Sequence, residues 1–385
     1  MELPLLYRQL QDQLRQWVKP KDQRHLQGFA EILAAILQSS SACFGKWISY
    51  LRHRGCEARA HMERLSYFVH NPHITAERFY EPILFYVLQA FAGESVLLTL
   101  DTSMLWDQFC LIEVCFVWGG RSFTLAQVVL EHGSAMVGFE QYQSVLEVAK
   151  RVLPAGTQVT LLADRGFEHA ALVRWLRTQH WSWAIRVTSD LSVTLANAQT
   201  LSVEQLLPPL AQAHLYQNVR VFGDLNCHLA TAQLPNAKDA WAVLSDHPPS
   251  LQTFALYGQR FGGIEPHFKD YKSAAFEILH SGLRDAQALT CLFMLLDCAT
   301  LIALMLAMML VQAGQRCYID WHGERGLSFL QLGLRQLASL CYQRLPLPQL
   351  VPLPKTNPPK ACASRKKRDA LDCQIEFSKV VTFSY

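Results

Sequence analysis

Three acidic residues of this 385-residue chain stand where an acid could do chemistry. Asp101 closes the apolar run from Ser95. Asp164 closes a second such run, Thr157 to Ala163, and is followed by Arg165-Gly166-Phe167. Glu265 lies in a stretch dense in basic and aromatic groups that includes Tyr257, Arg260 and Lys272. A carboxylate at the end of an apolar strand must be paired, metal-bound or turned to solvent. Two carboxylates side by side repel unless a cation lies between them, so Mg²⁺ or Mn²⁺ is the natural third party. On a helix, Glu265, Lys269 and Lys272 share a face. That face suits a plain salt-bridge ladder. It equally suits a metal on Glu265 with neighbouring phosphates on Arg260 and Lys272. Three carboxylates converging from two strands and a helix are what a pair of hard divalent cations acting on a phosphodiester requires.

The elements that must position these acids can be read from periodicity. Residues 1–92 are expected to be helical, with apolar residues three and four apart through Leu26, Phe29, Ile32, Leu33, Ile36 and Leu37. Further amphipathic turns follow around Phe44 to Leu51 and Met62 to Val69, and Asn71-Pro72 stops the last of them. Helix, break, helix with basic polar faces fits a DNA-binding helical domain. From about residue 94 the period changes. Ser95 to Asp101, Phe109 to Val117 and Ser122 to Leu130 read as consecutive strands, with Gly119-Gly120 as a hairpin turn. A helix over 138–152, a strand to Ala163, a helix over 168–179 and a strand over Trp181 to Val187 follow. This is an α/β order, a ribonuclease-H-like mixed sheet in which the first and fourth strands are neighbours. Residues 93–345 are assigned to this catalytic domain. A mainly β insertion is expected at about 190–250, and C-terminal helices at about 261–313 and 326–344. Residues 346–385, Pro-rich and carrying Arg365-Lys366-Lys367-Arg368, are expected to form a flexible basic tail.

Composition narrows the class. Half of the residues are hydrophobic, enough for a large core, and the net charge is only +3, so global charge does not announce a nucleic-acid binder. Locally, Lys46, Arg52, Arg54, Arg59 and Arg64 are opposed in sequence only by Glu57 and Glu63, a stripe that suits phosphate contacts or a solvated helix face. The eleven cysteines form no Cys-x-x-Cys pair, and the expectation is a reducing cytoplasm with neither zinc site nor disulfide framework. The start of the chain has no secretory-signal pattern. Residues 289–311 are almost wholly apolar and long enough to span a membrane. Asp297 near their middle favours a central core helix, so no membrane is expected. Trp183 and Trp241 read as core residues before base-stacking ones, and Asp107, Glu113 and His132 are given no role. Asp107 and Glu113 are expected to face solvent.

The acids and their surroundings resemble the DDE transposases of bacterial insertion sequences, in particular the IS-four family. Tyr257-x2-Arg260 and Glu265-x6-Lys272 match that family's Tyr-Arg-Glu-Lys signature, with four residues between Arg260 and Glu265 where the signature has three. Ala163-Asp164-Arg165-Gly166-Phe167, the β-rich insertion and Ser41 to Trp47 are also similar, and the resemblance covers roughly residues 25–340. It implies that Asp101, Asp164 and Glu265 hold two divalent ions, Mg²⁺ or Mn²⁺, for cleavage of element ends and their transfer to target DNA. It further implies DNA contacts by Tyr257, Arg260, Lys272, Arg165, Lys46, Arg52 and Arg54, a homodimer on double-stranded DNA, and a bacterial cytoplasm. The extra glycine before Glu265 motivates a second expectation, a degenerate relic that binds DNA without cutting it.

Overall fold

The computed structural model describes residues 4–52, 55–234, 237, 239–364 and 377–383. Its helices α1 (Leu5–Trp17), α2 (Gln23–Ser39), α3 (Phe44–Trp47), α4 (Ala58–Val69), α5 (Ala76–Phe79) and α6 (Glu81–Leu88) precede the sheet. Helix α2 starts where the Asp22 side chain accepts from Arg24 N and stops where Ser40 turns left-handed at φ 47°. Then come β1 (Ser95–Leu105), β2 (Phe109–Trp118), β3 (Arg121–Glu131), α7 (Phe139–Val152), β4 (Gln158–Ala163), α8 (Ala170–Thr178) and β5 (Ser182–Arg186). The β-rich segment supplies β6 (Ser192–Thr194), β7 (Thr200–Ser202), β8 (Gln212–Val221), β9 (Leu225–Gln233) and β10 (Trp241–Ser245). Helices α9 (Leu251–Lys269), α10 (Ala286–Gln312) and α11 (Phe329–Tyr342) and a last strand β11 (Lys379–Phe383) complete the fold.

The strands run in the order β3-β2-β1-β4-β5-β10-β9-β8-β6-β7, with β11 also pairing β8. Strands β1 to β3 form an antiparallel meander, whereas β1, β4 and β5 are parallel. This is the ribonuclease-H-like core. The β-rich segment continues its sheet, because β10 pairs antiparallel with β5. Gly119 and Gly120 both have positive φ, as a two-residue hairpin with the sheet's twist requires. Every residue of β2 is buried, so the meander is covered on both faces. One hydrophobic core runs from Leu6 of α1 to Leu353, joining the N-terminal helices to the sheet.

Four differences from the sequence reading have physical causes. Strand β1 runs on past Asp101 to Leu105, since β2 continues to pair with it there. Helix α9 begins ten residues before the expected start, where the Ser250 hydroxyl accepts from Gln252 N. Glu113 does not face solvent but is fully buried. The expected flexible tail is laid against the protein through residue 364. Its leucines at 347, 350 and 353 are all buried, and a three-residue period is that of an extended polyproline-type helix, which puts them on one side. Gln9 and Gln13 of α1 accept from the Leu347 and Leu350 N–H groups, and Tyr86 donates to Leu350 O. The basic run Arg365 to Arg368 lies outside the described residues.

Helix α10 is the long apolar segment. Every residue from Cys291 to Met308 is buried inside the protein. Asp297 is held by the Thr124 hydroxyl at 2.9 Å and by Tyr271 OH. Thr290 of α10 accepts from Val129 N and its carbonyl from Gln127 Nε2, so α10 also covers the open edge of β3.

Candidate active site

Strand order brings Asp101 and Asp164 together. Leu100 of β1 pairs with Ala163 of β4, so the next residue on each strand is an aspartate, side by side at the carboxyl end of β4. Asp164 leaves the strand into a tight turn in which its carboxylate accepts from Gly166 N at 2.8 Å. A Cβ on residue 166 would meet that carboxylate at 3.0 Å, which explains the glycine. Asp101 accepts from Thr102 N at 2.8 Å. The two acids differ in setting: the Asp164 side chain is 38% exposed and that of Asp101 13%. Burial pushes the Asp101 carboxyl up to about 6, with Arg260 pulling the other way and Asp164 adding to the rise.

Arg260 reaches this pair from α9, which lies across β3, β2, β1, β4, β5 and β10. Its Nη2 is 2.6 Å from Asp101 Oδ2 and 3.6 Å from Asp164 Oδ2. The guanidinium is buried. Burial opposes its charge, but Asp101, Tyr257 and Asp164 together hold it more firmly protonated than usual. The chain thus places a cation of its own between the two carboxylates. Their donor set, two hard carboxylates with Asp164 open to solvent, fits one hard divalent ion.

Glu265 lies on the exposed side of α9. Its charge still reaches Arg260, which it helps to keep protonated. Helix α9 is regular from Arg260 to Glu265, and five residues at 100° each leave Glu265 about 140° round from Arg260. Ile264, one turn after Arg260, is fully buried against the sheet, and Glu265 is exposed. The extra residue is therefore not absorbed at Gly262-Gly263. A wider π-helical turn occurs only later, at Asp270–Ala274, and contains Lys272. Lys272 is half-buried, and burial lowers its pKa. Pro266 within α9 leaves its carbonyl to Arg121 Nη1, which also bonds Asp270, and this ties α9 to the β2–β3 hairpin.

The remaining candidate residues separate clearly. Tyr257 is fully buried under Trp241 and Phe261, its hydroxyl is pushed up to about 12 by burial, and it offers no surface for DNA contact. Arg165 is exposed beside Asp164. Lys46 pairs with Glu277 at 2.9 Å, and Arg52 pairs with buried Glu31, which also faces Arg64. Arg59 pairs with Glu63. Lys46, Arg52 and Arg64 are therefore matched by acids outside the stripe, and Arg59 by one within it. Arg54 lies outside the described residues. Trp183 is buried and Trp241 packs on Phe254 and Tyr257.

Glu113, given no role from sequence, sits directly opposite Asp101 in register and therefore on the same face of the sheet. It accepts from the Thr124 hydroxyl at 3.0 Å and lies 3.5 Å from His267 of α9. The one signal in the sequence was an acid interrupting the apolar run of β2.

Residues 114–305 match a family model described as the transposase DDE domain. The matched stretch, just under half of the chain, includes Asp164, Arg260 and Glu265 and begins after Asp101. No curated protein matches the chain. Among solved structures it is similar to the piggyBac transposase in a cryo-EM synaptic complex with hairpin DNA, with 11% identity and a TM-score of 0.45, over 94% of this chain and 87% of that one.

Proposed function

We propose that this protein is a DNA transposase of the IS-four type that cuts the ends of an insertion sequence and joins them to target DNA. The observation that carries the reading is the Asp101–Asp164 pair on adjacent parallel strands, in a chain that matches the transposase DDE domain over residues 114–305. Asp101 and Asp164 would hold Mg²⁺ or Mn²⁺, and such an ion would supply charge stabilisation at the phosphodiester undergoing transfer. Asp164 offers the solvent-side oxygens, and Asp101 the buried ones. Arg260 offsets one of the two carboxylate charges and is near enough to engage a DNA phosphate there. Arg165 and Lys272 flank the incoming strand. The protein works in a bacterial cytoplasm on double-stranded DNA, as a homodimer that brings two ends together.

Glu265 completes a three-carboxylate set with two ions only when one residue between Arg260 and Glu265 is taken up in a wider turn. The exposed position of Glu265 favours a second reading, a relic that binds DNA without cutting it. Purified protein with Mg²⁺ and DNA carrying the element's ends decides between them. Cleavage lost in Asp101→Asn and Asp164→Asn supports the enzyme, and cleavage equal in both variants and parent refutes the mechanism. Absence of cleavage in the parent, regained when Gly263 is deleted, supports the relic.

A further inference from the structure

A second cluster of ligand-type side chains lies beneath α9, one strand over from Asp101. Glu113 and Cys115 of β2 point to the same face, and His267 of α9 comes down on them. All three are buried, and their ligand atoms lie within 4.8 Å of one another. His267 Nε2 is 3.5 Å from Glu113 Oε2, yet that oxygen has no hydrogen-bond partner. Asp297 shares the single Thr124 hydroxyl proton with Glu113, and likewise leaves its Oδ2 buried and without a hydrogen bond. Glu113 Oε2 thus has only the long contact to His267 and Asp297 Oδ2 has none, and a buried acceptor without a hydrogen bond costs on the order of 1–3 kcal/mol.

We propose that Glu113, Cys115 and His267 form a binding site for a divalent transition metal of the Zn²⁺ class, separate from the Asp101–Asp164 pair. Two ligands at about 2.0–2.1 Å from a tetrahedral zinc ion stand about 3.3 Å apart, close to the separation of His267 and Glu113. Thiolate and imidazole donors select such an ion over Mg²⁺. Binding sends the Cys115 thiol proton to solvent. Carboxylate, thiolate and neutral imidazole then surround a dication with no net charge, which removes the penalty for the bare buried acid. The site clamps α9 to β2 two helical turns from Arg260, and so fixes the helix from which Arg260 reaches Asp101. Cysteine spacing gave no hint of it, because the donors meet only through sheet and helix packing.

The experiment uses the full chain with Asp101→Asn and Asp164→Asn, so that the carboxylate pair holds no ion and no DNA chemistry is read. Protein from zinc-supplemented cells is gel-filtered and its metal content measured by mass spectrometry, and the metal is then exchanged for Co²⁺. One metal per chain and a thiolate-to-cobalt charge-transfer band are expected, both lost when Cys115→Ser is added. Trace metal and no such band in the parent would overturn the site, whether or not Cys115→Ser folds. A band that persists in a folded Cys115→Ser chain would overturn it too.

Discussion

Asp101→Asn tests whether the buried aspartate is held at a cost to stability. In the folded chain the Asp101 carboxyl rises from its ordinary 3.8 to about 6, chiefly by burial and despite Arg260 at 2.6 Å. At 1.36 kcal/mol per tenfold change, ionising it there costs about 3 kcal/mol more than in the unfolded chain. The folded pKa is raised, so this group's stabilising contribution is full below 3.8 and is lost as pH rises through about 6. Between about pH 4 and pH 8 the parent should therefore lose about 3 kcal/mol relative to Asp101→Asn, which has no proton to lose. Urea denaturation followed by tryptophan fluorescence at both pH values measures the gap between the two proteins. Comparing that gap cancels the titrating groups remote from Asp101. Mg²⁺ added at pH 8 should close it, by stabilising the ionised parent and not the variant. Parallel stability curves for parent and variant across this range would refute the assignment of a desolvated, destabilising acid at position 101.

Further outcomes follow from single contacts. Asp164→Asn should lower Mg²⁺-dependent DNA cleavage by on the order of 10³-fold or more while leaving circular dichroism unchanged, since its side chain is part-exposed and carries little of the core. Gly333→Ala should destabilise the chain by about 3 kcal/mol or prevent folding, read by thermal denaturation, because its Cβ would stand 1.9 Å from Ala303 O where α11 crosses α10. Gln13→Ala should free the segment after Pro346, at about 1–3 kcal/mol for the bonds lost to Pro348 O and Leu350 N, and limited proteolysis should then cut between residues 346 and 359.

Local pattern was enough for much of this protein. The change from a helical period to alternating strands near residue 94 set the meander, and Gly119-Gly120 set its turn, because both signals act over a few residues. The strand order that makes β1 and β4 neighbours followed from the succession of elements, and with it the pairing of Asp101 and Asp164. Asp297 within an apolar run pointed to a core helix, as α10 is.

What tertiary structure alone decided concerns groups whose partners are distant in sequence. Lys46 and Arg52 looked free until Glu277 and Glu31 came to them through packing. The leucines among the prolines after residue 346 bind because α1 offers two glutamines at matching height. Glu113 and His267, more than a hundred residues apart, meet only when α9 lies across β2. The settings of the three acids that drew attention first differ for the same kind of reason. Strand register joins Asp101 to Asp164. The rotation of a regular helix, fixed at 100° per residue and by the burial of Ile264, puts Glu265 on the exposed side of α9, while Arg260 reaches the two aspartates.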